Sequence, residues 1–199
     1  MDRKKTTKVL TEILINNRLS DRKYFAKEVT LDYGTNHPKR IDVMQFDPPG
    51  VLFPSDIEKG SFICYEVKSC IEDVYSGNGL NFYGEKNYIV TTMDTWKKLS
   101  EDIRNGKLND YLINNHPESS HNYGVLVPIP NSIDLRVTDE IYKEFETPTE
   151  LNEISSNWKL WTAMPCREGI RMRSITELLF CMLRAKHNTT NVNKEKSAL

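Results

Sequence analysis

Asp42 in Lys39-Arg40-Ile41-Asp42-Val43 and Glu66 and Lys68 in Cys64-Tyr65-Glu66-Val67-Lys68 are the residues of this chain best placed to do chemistry. Both segments are otherwise apolar. In a strand, alternate side chains point to opposite faces, so Glu66 and Lys68 share one face while Tyr65 and Val67 share the other. Two acids and an amine flanked by Val and Ile are costly to bury unless something compensates them, and a divalent cation held between the carboxylates does so. The expected centre is an oxygen-rich Mg²⁺ (or Mn²⁺) site with Asp42, Glu66 and the Val67 carbonyl as ligands and Lys68 beside it. The plainer alternatives are an edge pairing of Asp42 with Lys39 or Arg40, and a Glu66–Lys68 ion network without chemistry.

The elements that must position these residues are readable from periodicity. Val9, Leu10, Ile13 and Leu14 have helical spacing and predict a helix over 6–17 that also carries Glu12. Runs at 27–33, 40–46, 61–69 and 87–92 read as strands, separated by Gly, Pro and Asn. The stretch 47–60 is expected to be a loop, given Pro48, Pro49, Gly50, Pro54 and Gly60. Trp96, Leu99 and Ile103 return to helical spacing over 93–105. Further strands are expected at 123–128, 132–137 and 158–164. A last helix is expected over 174–186, opened by Ser174 and Glu177 as a capping box.

On these residues and this order the chain resembles the PD-(D/E)XK nuclease superfamily, whose core runs helix, three strands, helix, strand, with the Asp on the second strand and Glu-x-Lys on the third. Glu66-Val67-Lys68-Ser69, Asp73 and Gly84-Glu85-Lys86-Asn87-Tyr88-Ile89-Val90 look like its MmcB-like branch, which is associated with DNA repair. The resemblance covers residues 6–92. Ile41 stands where the family motif has proline, and the two acids are far apart in sequence, so the 47–60 insert must loop out.

The resemblance implies an α/β fold with a restriction-endonuclease-like core, a central mixed β-sheet flanked by helices. The expected organisation is a single nuclease-like domain over 1–187 and a polar tail over 188–199. The implied activity is metal-dependent hydrolysis of phosphodiester bonds, in DNA above all. Asp42 and Glu66 would bind Mg²⁺, and Lys68 would position or activate water. Glu12, as the first-helix acid of the family, would support the site or hold a second ion. The alternative from another class is a non-catalytic module on the same fold, binding nucleic acid or a partner protein as a repair accessory or phage anti-defence factor.

Composition sets wide bounds. The chain has 199 residues, 38% of them hydrophobic, enough for one good core. The formal charge of −1 is not that of a protein coating nucleic acid, yet residues 2–27 hold eight basic and three acidic side chains, whereas 134–153 hold two basic and seven acidic. Lys4, Lys5, Lys8 and Lys86 are the candidate phosphate contacts. The four cysteines lack metal-ligand spacing and read as reduced thiols. His116 and His121 have no third ligand nearby in sequence for a zinc site. With no apolar leader and no membrane-length apolar run, the expectation is a cytoplasmic protein; its oligomeric state is left open.

Overall fold

Six strands hydrogen-bond in chain order, β1-β2-β3-β4-β5-β6, into one mixed sheet of a computed structural model that describes residues 1–19, 24–49 and 53–196, with side chains undescribed at 54, 55 and 186–196. β1 (Phe25–Leu31), β2 (Lys39–Asp47) and β3 (Ser61–Lys68) form an antiparallel meander. β4 (Lys86–Thr91) and β5 (Gly124–Pro130) continue parallel to β3, and β6 (Trp158–Met164) closes the far edge antiparallel. Buried almost throughout, β3, β4 and β5 are the apolar runs expected of strands covered on both faces.

Helices cover both faces. On one, α1 (Arg3–Leu14) lays Leu10 and Leu14 in a cluster with Val43, Tyr65, Val67, Val90 and Leu126. On the other, α6 (Ile175–Lys196) packs Leu178, Cys181 and Met182 with Met44, Phe46, Phe62 and Cys64. Beside it, α3 (Met93–Arg104) and α4 (Lys107–Asn115) cover Ile89, Val125 and Val127 with Leu99, Leu108 and Leu112. Two short helices complete the set, α2 (Ile71–Val74) after β3 and α5 (Thr138–Glu146) after β5. The chain is therefore α/β, a six-stranded mixed sheet flanked by helices. Among the described residues no helix is long and apolar enough to cross a membrane, and all four cysteines are free.

Several boundaries differ from expectation for local reasons. The first helix starts at Arg3 because the Asp2 carboxylate accepts the Lys5 N–H at 3.0 Å and caps it. The first strand ends at Leu31 because Asp32 takes a positive φ of 52° and its carbonyl accepts the Thr35 N–H at 3.1 Å. Residues 132–137 are no strand. The Asp134 carboxylate accepts the Arg136 N–H and its carbonyl the Val137 N–H, both at 3.0 Å, and the segment turns into α5. In the expected loop over 47–60, Pro54–Lys59 forms a 3₁₀ turn, while 50–52 lie outside the described residues. Ser174 accepts the Glu177 N–H at 3.2 Å, as a helix cap should, and α6 runs on to Lys196 through the polar stretch read as a tail; 197–199 lie outside the described residues.

A buried amide ties the chain together at the start of β4. Asn87, fully buried, donates to the Gly84 and Asn122 carbonyls at 3.0 and 3.1 Å and accepts the Gly84 N–H at 3.1 Å. Asn87→Ala should lower unfolding stability by roughly 3 kcal/mol, about 1 for each lost bond. Urea denaturation measures it, and an unchanged midpoint would contradict the role.

Candidate active site

The backbone ladder between β2 and β3 stops at Val43–Tyr65, and the candidate residues sit just beyond it. Continuing that register places Asp42 opposite Glu66. There the Val67 N–H donates to Asp42 Oδ2 at 2.8 Å instead of to a backbone carbonyl. Asn81 bridges the two strands, its N–H donating to Glu66 Oε1 at 3.2 Å and its side-chain amide to the Arg40 carbonyl at 2.7 Å. A cleft of about 1000 Å³ opens at this end of the sheet, with Asp42, Glu66, Val67 and Lys68 in its lining.

The loop after α2 reaches over the acids. Lys68 Nζ donates to the Asn78 carbonyl at 2.6 Å. Gly79 has φ +80°, and a Cβ there would lie 2.4 Å from Glu66 Oε2 and 2.5 Å from Lys68 Nζ. Only glycine lets the backbone approach both side chains so closely in this conformation.

Burial governs the electrostatics. Glu66 is 0% and Lys68 4% exposed. Burial, then the neighbouring Asp42, pushes the Glu66 carboxyl up to about 8 against the opposing pull of Lys68 and Asn81. Burial also raises Asp42, against the Val67 N–H, Lys68 and Arg40. Asp73 behaves oppositely. Burial raises its carboxyl but is outweighed by the Ser69 N–H at 3.0 Å and the Ser69 hydroxyl, with Lys68 and Arg3 adding to the pull, so its pKa ends below the ordinary value. Asp73 also pairs with Arg3 at 2.7 Å.

The structure gathers Asp42, Glu66, Val67 and Lys68 in one place, together with Lys4 on the cleft wall. The other candidates lie elsewhere. Glu12 is absent from the lining, its side chain 43% exposed and 4.0 Å from Lys8 in an (i, i+4) pair, because the turn of α1 that meets the cleft carries Arg3, Lys4 and Thr7. Lys8 is engaged in that pair, and Lys5 pairs with Glu153 at 3.0 Å. Lys86 stands opposite Ile63 at the other end of β4 from Thr91, the partner of Lys68, and pairs with Glu168 at 3.6 Å. Sequence reasoning missed Lys39 and Arg40 as cleft cations, Asp73 as a cleft acid and His116 as a lining residue. The first two flank Asp42 in sequence and were legible; His116 reaches the cleft only through the fold.

The donor set suits a hard divalent cation. Glu66 Oε2 is buried with no hydrogen-bond partner among the described residues, and the neighbouring Asp42 raises the Glu66 pKa, so a cation between the two carboxylates would relieve both penalties. Among the described residues no group of three or more His, Cys, Asp or Glu converges as a ligand cage. Two carboxylates and the Val67 carbonyl, completed by water, match the habit of Mg²⁺, which keeps several waters and needs only one or two carboxylates.

A sign follows for stability. The Glu66 carboxyl ionises at about 8 in the folded chain against an ordinary 4.5, so its contribution is full below 4.5 and lost as pH rises through 8. With divalent ions removed, Glu66→Gln should therefore gain thermal stability relative to wild type as pH rises across that window, and Mn²⁺ should narrow the gap at its upper end. Melting curves at several pH values test this; parallel profiles for the two proteins would refute it.

No family model matches the chain, and neither the curated proteins nor the solved structures contain a significant match to it.

Proposed function

We propose that the chain is a metal-dependent nuclease hydrolysing phosphodiester bonds, with DNA as substrate, on a restriction-endonuclease-like core. The observation that carries this reading is the half-buried Asp42 on β2 set against the buried Glu66 and Lys68 on the adjacent β3, all lining one cleft that also holds several cations. The order α1, β1, β2, β3, α2, β4 also agrees with the core of the PD-(D/E)XK superfamily, with the Asp on the second strand and Glu-x-Lys on the third. Arg3 and Lys4 on α1 and Lys39 and Arg40 on β2 supply positive charge in the cleft for a phosphate backbone.

Asp42, Glu66 and the Val67 carbonyl would hold the ion. When bound, Mg²⁺ or Mn²⁺ supplies charge neutralisation at the phosphate and a water of lowered pKa. The chain's own part is positional. The Val67 N–H fixes the Asp42 carboxylate and the Asn81 N–H fixes Glu66, so neither needs to reorganise as the phosphate arrives. Lys68 shares β3 with Glu66, two residues on and on the same face of the strand. Released from the Asn78 carbonyl, it can orient the attacking water or donate to the phosphorus oxygens as their charge builds.

The test is incubation of the purified chain with supercoiled, linear and single-stranded DNA and with RNA, in Mg²⁺, Mn²⁺ or EDTA. Cleavage should need the metal. Asp42→Asn, which can still accept the Val67 N–H, should weaken Mn²⁺ binding by calorimetry and abolish cutting. Lys68→Ala should keep the ion and lose cleavage by roughly 10²-fold or more. A chain that binds nucleic acid but cuts none of these substrates would be the non-catalytic module instead.

A further inference from the structure

Among the described residues, two buried side-chain atoms have no hydrogen-bond partner, Glu66 Oε2 and His116 Nε2, and both residues line the same cleft. Buried polar groups are nearly always paired, so two exceptions in one cleft mark a place where partners arrive from outside the chain. The ion accounts for Glu66. Nothing in the mechanism above uses His116.

The fold holds His116 by its backbone. It follows α4, its N–H donating to the Leu112 carbonyl at 2.8 Å and its carbonyl accepting the Ser119 N–H at 3.0 Å. The ring is 5.7 Å from that of Tyr111, and the residue is 7% exposed. It is not a third metal ligand, because no three ligating side chains converge among the described residues. Burial, then Lys39 on β2 and Lys68 on β3, hold its pKa below the ordinary value. The resting imidazole is therefore neutral, with one N–H to donate and one nitrogen to accept. Since no bond restrains Nε2, a small movement of the ring into the cleft breaks none there and can make one.

We propose that His116 is a substrate-contacting residue, giving an imidazole N–H to a nucleotide phosphate held beside Lys39 and Arg40. The assignment rests on the nuclease reading above, deepens it, and names the element missing from its cation-lined wall. Lys39 and Arg40 supply charge without fixed direction on long side chains, whereas an imidazole anchored at the end of α4 gives a directional donor. An arriving phosphate would also offset the two lysines that disfavour the imidazolium, so the contact strengthens itself by proton uptake.

The experiment uses the 199-residue chain carrying Asp42→Asn and a short oligodeoxythymidylate, so that the probe stays intact. NMR follows the His116 ring proton against pH, with and without the oligonucleotide. The expected result is an upward shift of the His116 titration midpoint on binding. In anisotropy measurements His116→Ala should weaken binding about tenfold, the size of one charge-assisted hydrogen bond, with His116→Gln recovering part of it through its amide N–H. In cutting assays the loss should fall on KM more than on kcat. A His116 resonance unmoved at saturating oligonucleotide overturns the inference, and so does wild-type affinity in a folded His116→Ala. If the wild-type chain cuts nothing but the oligonucleotide shifts His116, only the nuclease reading fails. If it cuts and His116 does not respond, only this inference fails, and an absence of any binding overturns both.

Discussion

A carboxylate buried to 0% exposure, with one oxygen accepting the Asn81 N–H and the other without a hydrogen-bond partner among the described residues, is the constraint around which this end of the sheet is organised. Leaving a buried acceptor unpaired costs about 1–3 kcal/mol, and a second acid opposite adds repulsion. The chain relieves part of this by protonation, which is what a carboxyl pushed to about 8 means at neutral pH. A hydrophobic residue at position 66 would remove the penalty and pack against the same neighbours. That the chain carries an acid there instead is a local conflict of the kind sequences keep where a site is needed.

Other features follow from accommodating that acid. The β2–β3 ladder stops at Val43–Tyr65, just before the two carboxylates, and two backbone groups beyond it are taken up by side chains. Asp42 accepts the Val67 N–H, and the Asn81 amide donates to the Arg40 carbonyl. Asn81 can reach both strands only because the preceding loop doubles back through left-handed backbone at Gly77, Gly79 and Leu80. Leu80 adopts that conformation with a side chain, at a cost, and its burial among Val74, Phe82 and Ile89 holds it there. The covering loop, the splayed strands and the buried acid thus depend on one another.

The sheet was largely legible because its strands are apolar runs bounded by turn residues: the strands at 158–164 and near 61–69, 40–46 and 87–92 follow from composition alone. Asp42, Glu66 and Lys68 were legible for a related reason, since charges inside such runs stand out. What failed depended on side chains acting on backbone. Asp134 bends 132–137 away from strand by accepting the Arg136 and Val137 N–H groups, which the Ile and Val of that segment do not reveal. Glu12 lies outside the cleft lining because the face a helix turns to a cleft depends on where the helix starts. Capping by Asp2 sets α1 from Arg3, and the end of α1 at the cleft presents Arg3, Lys4 and Thr7. His116 stands out in sequence only beside His121, and it is brought to the cleft by α4, a helix not expected from the sequence.

Charge placement also explains how a chain of formal charge −1 can present a site for an anion. The basic N-terminal run does not act as a block. Lys5 pairs with Glu153 from the acidic stretch and Lys8 with Glu12, both outside the cleft lining, whereas Arg3, paired with Asp73, stays within it. The lysines and arginines in the cleft lining are then Arg3 and Lys4 from α1, Lys39 and Arg40 from β2 and Lys68 from β3, drawn from three elements. Net charge governs nonspecific adhesion, whereas the field inside a low-dielectric cleft is set by the few charges lining it. Under the nuclease proposal, a near-neutral chain with cations gathered in one cleft would favour a phosphate that enters over one that merely lies across the protein.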